Sequence, residues 1–335
     1  MEVICVDNVH QALPEGCRLL ETKGVEVSTR NGKAWALTAP LATTYRQPCQ
    51  RVLFWKERNA NPFFHLMECL WMLAGRNDVA WISEYSSNIQ NYSDDGFTFN
   101  GAYGYRWRKQ FGFDQFSLIV AALKENAQDR RQVLQMWSPA DLQNQDLTKD
   151  VPCNTSAYFQ VVEGSLDMLV SNRSNDLIWG AYGANAVHFS FLQEVVASFA
   201  GFPVGKYTQV SMNTHVYERH FPLARSLASY APDVLGGQRH ADSDYYASKH
   251  SKVLAYPVVQ DPRYWMEDLC RFTDEVTRGY QNSFFPEVAI PMRDAWRVWK
   301  RQKASTSRVS NACQIIEDCC KASDWKKAAL DWIRR

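Results

Sequence analysis

The sequence has no run of about 18 apolar residues, so no membrane-spanning helix is expected. Its first residues, MEVICVDNVHQALPEG, lack a basic stretch followed by an apolar one, so no secretory signal is read. Neither sign of charge is in excess: 37 Lys+Arg face 36 Asp+Glu, for a net charge of +1. Wholesale binding along a nucleic-acid backbone needs a large positive surplus and is excluded, whereas a small anion needs only a few local arginines. The nine cysteines, at 5, 17, 49, 69, 153, 270, 313, 319 and 320, are odd in number, scattered and without paired CxxC spacing. That argues against a disulfide framework or a zinc site and fits a reducing cytoplasm with mostly buried thiols. Internal repeats and low-complexity segments are also missing.

What is present is an ordinary globular composition, 46% hydrophobic and 22% charged over 335 residues, enough for one large domain or two modest ones. Residues 1–60 mix apolar alternation with turn residues (Asn31-Gly32), which predicts strands and loops. The first strong helix is predicted from Asn61 as cap and Pro62 in the first turn to a stop at Gly75. Phe63, Phe64, Met67, Leu70 and Trp71 form its apolar stripe, with Glu68 at the border. A second helix is predicted over Gln115–Gln128. Residues 155–162 and 166–171 read as strands joined by a turn at Glu163-Gly164-Ser165, and 206–213 as another strand. Between them a glycine-rich loop, Gly180–Asn185, leads into a helix carrying Val187, Phe191, Leu192, Val195, Val196 and Phe199 and ending at Gly201. Residues 225–260, with Gly236-Gly237, read as a long excursion. Asp261-Pro262 then opens a largely helical C-terminal part with Trp296, Trp299, Trp325 and Trp332 as packing anchors. Strands and helices alternate without a βαβ rhythm, which points to an α+β fold.

The chemistry concentrates in Val151-Pro-Cys-Asn-Thr155 and Asn172-Arg-Ser-Asn-Asp176. A cysteine after proline at a strand mouth sits on a constrained backbone, and a guanidinium nearby favours the nucleophilic thiolate. If the hairpin closes, its far end returns Arg173 to Cys153. By itself such a cysteine is more often buried and inert.

The order of several segments changes that balance. Phe64-His-Leu-Met-Glu68-Cys-Leu-Trp-Met-Leu-Ala-Gly75, Ala102-Tyr-Gly-Tyr-Arg-Trp107, Asp129-Arg-Arg131, Pro152-Cys153, Arg173-Ser-Asn-Asp176 and Thr214-His-Val-Tyr217 follow one another as in the thymidylate synthase family. Over residues 25 to 225 the chain resembles that family. The resemblance implies an α+β, three-layer fold with a large mixed sheet at a homodimer interface. Residues 1–255 would form the catalytic domain and 256–335 a helical extension packed on it.

The resemblance also implies roles. Cys153 would add to C6 of a pyrimidine nucleotide, making C5 nucleophilic toward 5,10-methylenetetrahydrofolate, with no metal required. Glu68 would move protons at the exocyclic position, and Tyr103 would stand beside the nucleophile. Arg173 and Ser174 would bind the 5′-phosphate, with Arg30 a further ligand from a mobile loop. Arg130 and Arg131 would cross the dimer interface to the partner's phosphate; their plain alternative is a solvated basic turn. His215 and Tyr217, two apart on a strand, would bind the 3′-hydroxyl, and Asp176 the folate pterin. His188 and His220 are read as structural.

Departures from the family pattern bear on product and base. Asn154 follows the nucleophile where methylating synthases usually have histidine. No tryptophan occurs at Ile89-Gln-Asn-Tyr92, where the family's folate-side cluster falls, and Gln90 could instead help admit water. The short apolar tail that closes many synthases is replaced by a helical extension. Hydroxymethylation of dUMP is therefore the first expectation. Reductive methylation, hydroxymethylation of dCMP or CMP, and a silent nucleotide- or RNA-binding relative are the alternatives. Uracil recognition would fall to Asn185, which requires a one-residue insertion after Gly180; if Ala184 faced the base instead, cytidine nucleotides would be as well served. Hydroxymethylating relatives suit a viral pathway acting in the host cytoplasm, or an antibiotic-making one.

Overall fold

The computed structural model describes all residues except 145, 232–243, 249–250 and 302–306. Gly236-Gly237 of the expected excursion lie outside the described residues.

Ten strands form two sheets among the described residues. They are β1 (Glu2–Val6), β2 (Gly24–Thr29), β3 (Gly32–Leu37), β4 (Leu41–Tyr45), β5 (Val133–Gln135), β6 (Asn154–Val162), β7 (Ser165–Asn172), β8 (Asn175–Asp176), β9 (Val204–Ser211) and β10 (Thr214–Tyr217). The larger sheet runs β1-β4-β9-β7-β6-β5 and mixes parallel and antiparallel pairs; the smaller runs β2-β3-β10-β8. With helices segregated to one side of the larger sheet, the fold is α+β, as expected.

The β6–β7 hairpin closes through Glu163 and Gly164, both at positive φ (50° and 79°). That is the primed two-residue turn whose twist matches the strands. It sets Asn154 opposite Asn172 at the other end, so the residues just outside the ladder, Cys153 and Arg173, become neighbours.

Above the sheet lies the helix Asn185–Ala200, ended by Gly201 at φ 88°. The expected single apolar face is instead burial nearly all round, because the sheet covers one side and other helices the rest. The helix Pro62–Leu73 packs beside it, its first amides capped by Asn61, whose side chain accepts from the Phe63 and Phe64 N–H groups. C-terminal helices (Pro262–Thr273, Ile290–Arg301, Arg308–Cys319 and Ser323–Ile333) form a third layer within the same continuous core. Phe191 meets Phe284 and Trp325, and Phe63 meets Trp296 and Trp332.

One sequence expectation is corrected. Residues 1–60 are not only strands and loops, because Val9–Lys23 is a helix of 15 residues with Pro14 inside it. Proline removes the donor that His10 C=O would use and argues against a helix locally. Here the Trp55 indole N–H donates to that carbonyl at 2.8 Å, a long-range repair that local patterning cannot show. The helix predicted from Gln115 stops earlier than expected, at Glu125.

Candidate active site

The hairpin places Cys153 at the floor of a cavity of about 750 Å³. Arg173 is held there by its neighbours: its N–H donates to Cys153 C=O at 2.9 Å, Nε to Pro152 C=O at 2.8 Å and Nη2 to Val151 C=O at 3.0 Å. Nη2 then lies 3.7 Å from the Cys153 Sγ. Burial pushes the Cys153 thiol above its ordinary value, Asp150 adds to that, and Arg173 and Arg30 pull against it.

The same cavity is lined by Arg30, Ser174, Asp176, His215 and Tyr217. Arg30 stands in the turn between β2 and β3. His215 and Tyr217 share one face of β10, their rings 4.9 Å apart, and Asn31 Nδ2 donates to the Tyr217 hydroxyl at 3.2 Å. Burial lowers the affinity of His215 for a proton, so near neutral pH it offers a lone pair as well as an N–H. Asp176 lines this cavity too, while one of its oxygens accepts from the Ile178 and Trp179 N–H groups.

A second, smaller cavity of about 180 Å³ is lined by Glu68, Tyr103, Asn185, His188, Ile89 and Tyr92. Tyr103 joins the two, because its hydroxyl accepts from the backbone N–H of both Cys153 and Asn154 at 3.3 Å. Burial raises its phenol well above the ordinary value. A third cavity, of about 560 Å³, shares Glu68, Tyr92 and Ala184 with the second and adds Phe64, Trp179, Arg58 and Arg219. The Arg58 guanidinium lies 3.8 Å over the Trp179 ring, and burial brings it down to about 10.

The loop after Asp176 has an irregular winding. Leu177–Ala184 is a π-helical turn kinked at Tyr182 and Gly183, a wider winding that takes up one residue more than an α-turn. It delivers Asn185 into a chain of side-chain hydrogen bonds. Asn154 Nδ2 donates to Asn185 Oδ1 at 3.1 Å, Asn185 Nδ2 to Asn175 Oδ1 at 3.0 Å, and Asn175 Nδ2 to Ser211 Oγ at 3.1 Å. Gly180 makes room for it, since a Cβ there would sit 2.4 Å from Asn175 Oδ1. Asn185 keeps one N–H and one lone pair uncommitted by these bonds.

Other residues singled out in the sequence lie elsewhere. Gln90 is exposed on a short 3₁₀ segment, with Ile89 and Tyr92 facing the cavity in its place. Arg130 and Arg131 are exposed and outside the three cavities described above, Arg131 forming a bidentate pair with Asp129. Conversely, Asn175 joins the amide chain, Arg58 lines the third cavity and His188 the second; the sequence reading assigned no role to the first two and took the third as structural. His188 had one available signal: it lies three residues after Asn185, hence on the same helix face.

A half-buried thiol beside a fixed guanidinium, facing a roomy cavity with arginines at its edge, is an arrangement suited to covalent attack on an anionic substrate. The thymidylate synthase family profile matches residues 21–236, and the chain belongs to that family. The deoxyuridylate hydroxymethyltransferase of Pseudomonas phage M6 is 48% identical over 339 aligned residues, spanning all of this chain and 94% of that protein. The protein of the same name from Bacillus phage SP01 is 38% identical over 203 residues, spanning 57% of this chain and 53% of its own length.

Proposed function

We propose that this chain transfers a one-carbon unit from methylenetetrahydrofolate to C5 of dUMP and releases the 5-hydroxymethyl nucleotide. The observation that carries it is the Cys153 Sγ, 3.7 Å from Arg173, in a cavity that also collects Ser174, Arg30, His215 and Tyr217. The names of the two phage relatives support the base and the product.

Arg173 and Ser174, with Arg30, bind the phosphate; the planar fork of arginine suits its oxygens. His215 and Tyr217 take the 3′-hydroxyl. With the nucleotide fixed, Cys153 adds to C6 and the electron pair moves toward C5 and O4. The spare N–H and lone pair of Asn185 match O4 and N3–H of uracil. The folate supplies the one-carbon group when bound. The third cavity fits such a ligand, with Trp179 and Phe64 for a flat ring and a buried Arg58 nitrogen, unpaired among the described residues, for a carboxylate, whereas Asp176, expected at the pterin, lines the nucleotide cavity instead. Glu68 accepts and returns protons at the edge of the base.

We further propose a homodimer. One face of the larger sheet leaves Val3, Tyr158, Val162 and Leu169 exposed, an apolar surface of the kind a second copy covers. Arg130 and Arg131 would then serve the partner's phosphate.

Incubation with dUMP and methylenetetrahydrofolate is expected to yield 5-hydroxymethyl-dUMP and tetrahydrofolate. Stoichiometric dihydrofolate would assign reductive methylation, turnover of dCMP or CMP in preference would reassign the base, and no release of tritium from C5 would leave a nucleotide-binding protein only.

A further inference from the structure

A hydroxymethyl product requires a water to reach the C5 methylene and lose a proton there, and the second cavity contains a pair suited to it. Glu68 Oε2 and His188 Nε2 lie 3.1 Å apart. His188 is 4% exposed and Glu68 18%. The two atoms are out of line for a hydrogen bond with each other, and neither meets another partner among the described residues. Both atoms are closed to solvent as they stand at the edge of the cavity, and buried polar atoms in proteins are nearly always satisfied, so a small shift of either side chain that admits one water between them would satisfy both. Both side chains line the cavity with Asn185 and Tyr103, the residues that reach the base and the nucleophile. Gln90, the other polar group weighed for this task, is exposed and does not line this cavity.

We propose that His188 is the second half of a water-holding pair with Glu68, and that this pair positions and deprotonates the water that adds to the C5 methylene. This rests on the hydroxymethylation reading above. The step balances as follows. After the one-carbon unit has been passed to C5 and the C5 proton lost, the nucleotide carries an exocyclic C5=CH2 while C6 remains bonded to Cys153. The water oxygen bonds to the methylene carbon, and the π electrons move through C5 toward O4. They then return to form C5=C6 and expel the Cys153 thiolate. The water's proton passes to the Glu68–His188 pair. That proton and the one lost from C5 are the two that tetrahydrofolate gains.

The test uses [5-³H]dUMP, methylenetetrahydrofolate and 2-mercaptoethanol with the full chain and its His188→Phe and His188→Asn variants. Tritium release reports every step up to loss of the C5 proton, whereas the hydroxymethyl product reports water addition. In the variants, tritium release is expected to stay within about 3-fold of the parent while hydroxymethyl-dUMP falls about 100-fold. The missing product should appear as the thioether formed when the thiol traps the methylene. The asparagine variant carries the test if the phenylalanine one does not fold. An unchanged ratio of hydroxymethyl product to tritium release, or an equal fall in both, would overturn the role of His188. Dihydrofolate formation by the parent protein would instead overturn the hydroxymethylation reading.

Discussion

The two walls of the site are made differently. The wall assigned above to the nucleotide is sheet: Cys153, Arg173, His215 and Tyr217 sit in or next to strands, Arg173 fixed by backbone bonds to residues 151–153 and β10 by its ladders to β3 and β8. The opposite wall is helix: Glu68, Asn185 and His188 stand on two helices whose spacing depends on side-chain packing and on the C-terminal layer behind them. A strand end is positioned by its ladder, whereas a helix pair is positioned by whatever fills the gap between its axes. Damage to the first wall should therefore show as lost binding and nucleophilicity, and damage to the second as lost proton transfer.

Cys153→Ser should have the largest effect, removing turnover by roughly 10⁴-fold or more with nucleotide binding kept. Tritium release and binding calorimetry separate the two. Full turnover in this variant would show that neither wall has been understood. Next comes Glu68→Gln on the helical wall. Its kcat should fall about 10²–10⁴-fold with the KM for dUMP within a few-fold. An effect confined to KM would erase the contrast.

Arg173→Gln sharpens the contrast from the sheet side. Losing a charge-assisted, partly bidentate phosphate contact should raise the KM for dUMP about 10–100-fold. It should also change the pH dependence. The Cys153 thiol is raised by burial, so the neutral form dominates near pH 7 and tritium release should climb as pH rises from about 6 to 9. Arg173 is the strongest influence pulling that thiol down, so its loss should move the climb to higher pH. A profile that stays put would mean the guanidinium serves the phosphate alone.

The Cys153–Arg173 half of the sheet wall was legible from the sequence because its information is local. Pro152-Cys153, the Glu163-Gly164 turn and the strand lengths between them are enough to return Arg173 to the thiol. The pair His215 and Tyr217 follows from strand alternation. The helical wall was legible in part: the stripe and cap of Pro62–Leu73 placed Glu68 at a buried border. The partner of Glu68 was not legible, because His188 lies on a helix buried on nearly every side. Apolar periodicity carries no direction there. The helix Val9–Lys23 was hidden for a related reason, since the Trp55 indole that compensates Pro14 is distant in sequence. The spacing between Gly180 and Asn185 was visible in the sequence, but the kink at Tyr182 and Gly183 that leads into Asn185 needed coordinates.

Asn185→Asp probes the junction of the walls. A carboxylate accepts from the amino group of cytosine but cannot donate to O4 of uracil. The kcat/KM for dUMP should fall about 10–100-fold, and dCMP should gain relative to it. The neighbours make the outcome informative: the bond from Asn154 to Asn185 Oδ1 survives the substitution, while the bond from Asn185 to Asn175 Oδ1 is lost. If dUMP stays preferred, the amide chain rather than the Asn185 side chain alone sets the choice, and Asn175→Ala should then relax it.

Trp332→Ala should have the smallest effect on chemistry and tests what the third layer contributes. Trp332 packs 5.0 Å from Trp299 and 5.8 Å from both Trp296 and Phe63, ring to ring, and Phe63 lies on the helix that carries Glu68. Losing the indole should cost about 3 kcal/mol, a fall in melting temperature of roughly 4 °C. No atom of the sheet wall is touched, so the KM for dUMP should hold while kcat drops a few-fold as the Glu68 helix loosens. A fall in stability with kcat intact would show that the C-terminal helices only thicken the core. A rise in KM alone would show that they act on the nucleotide wall, which the packing gives no path to do.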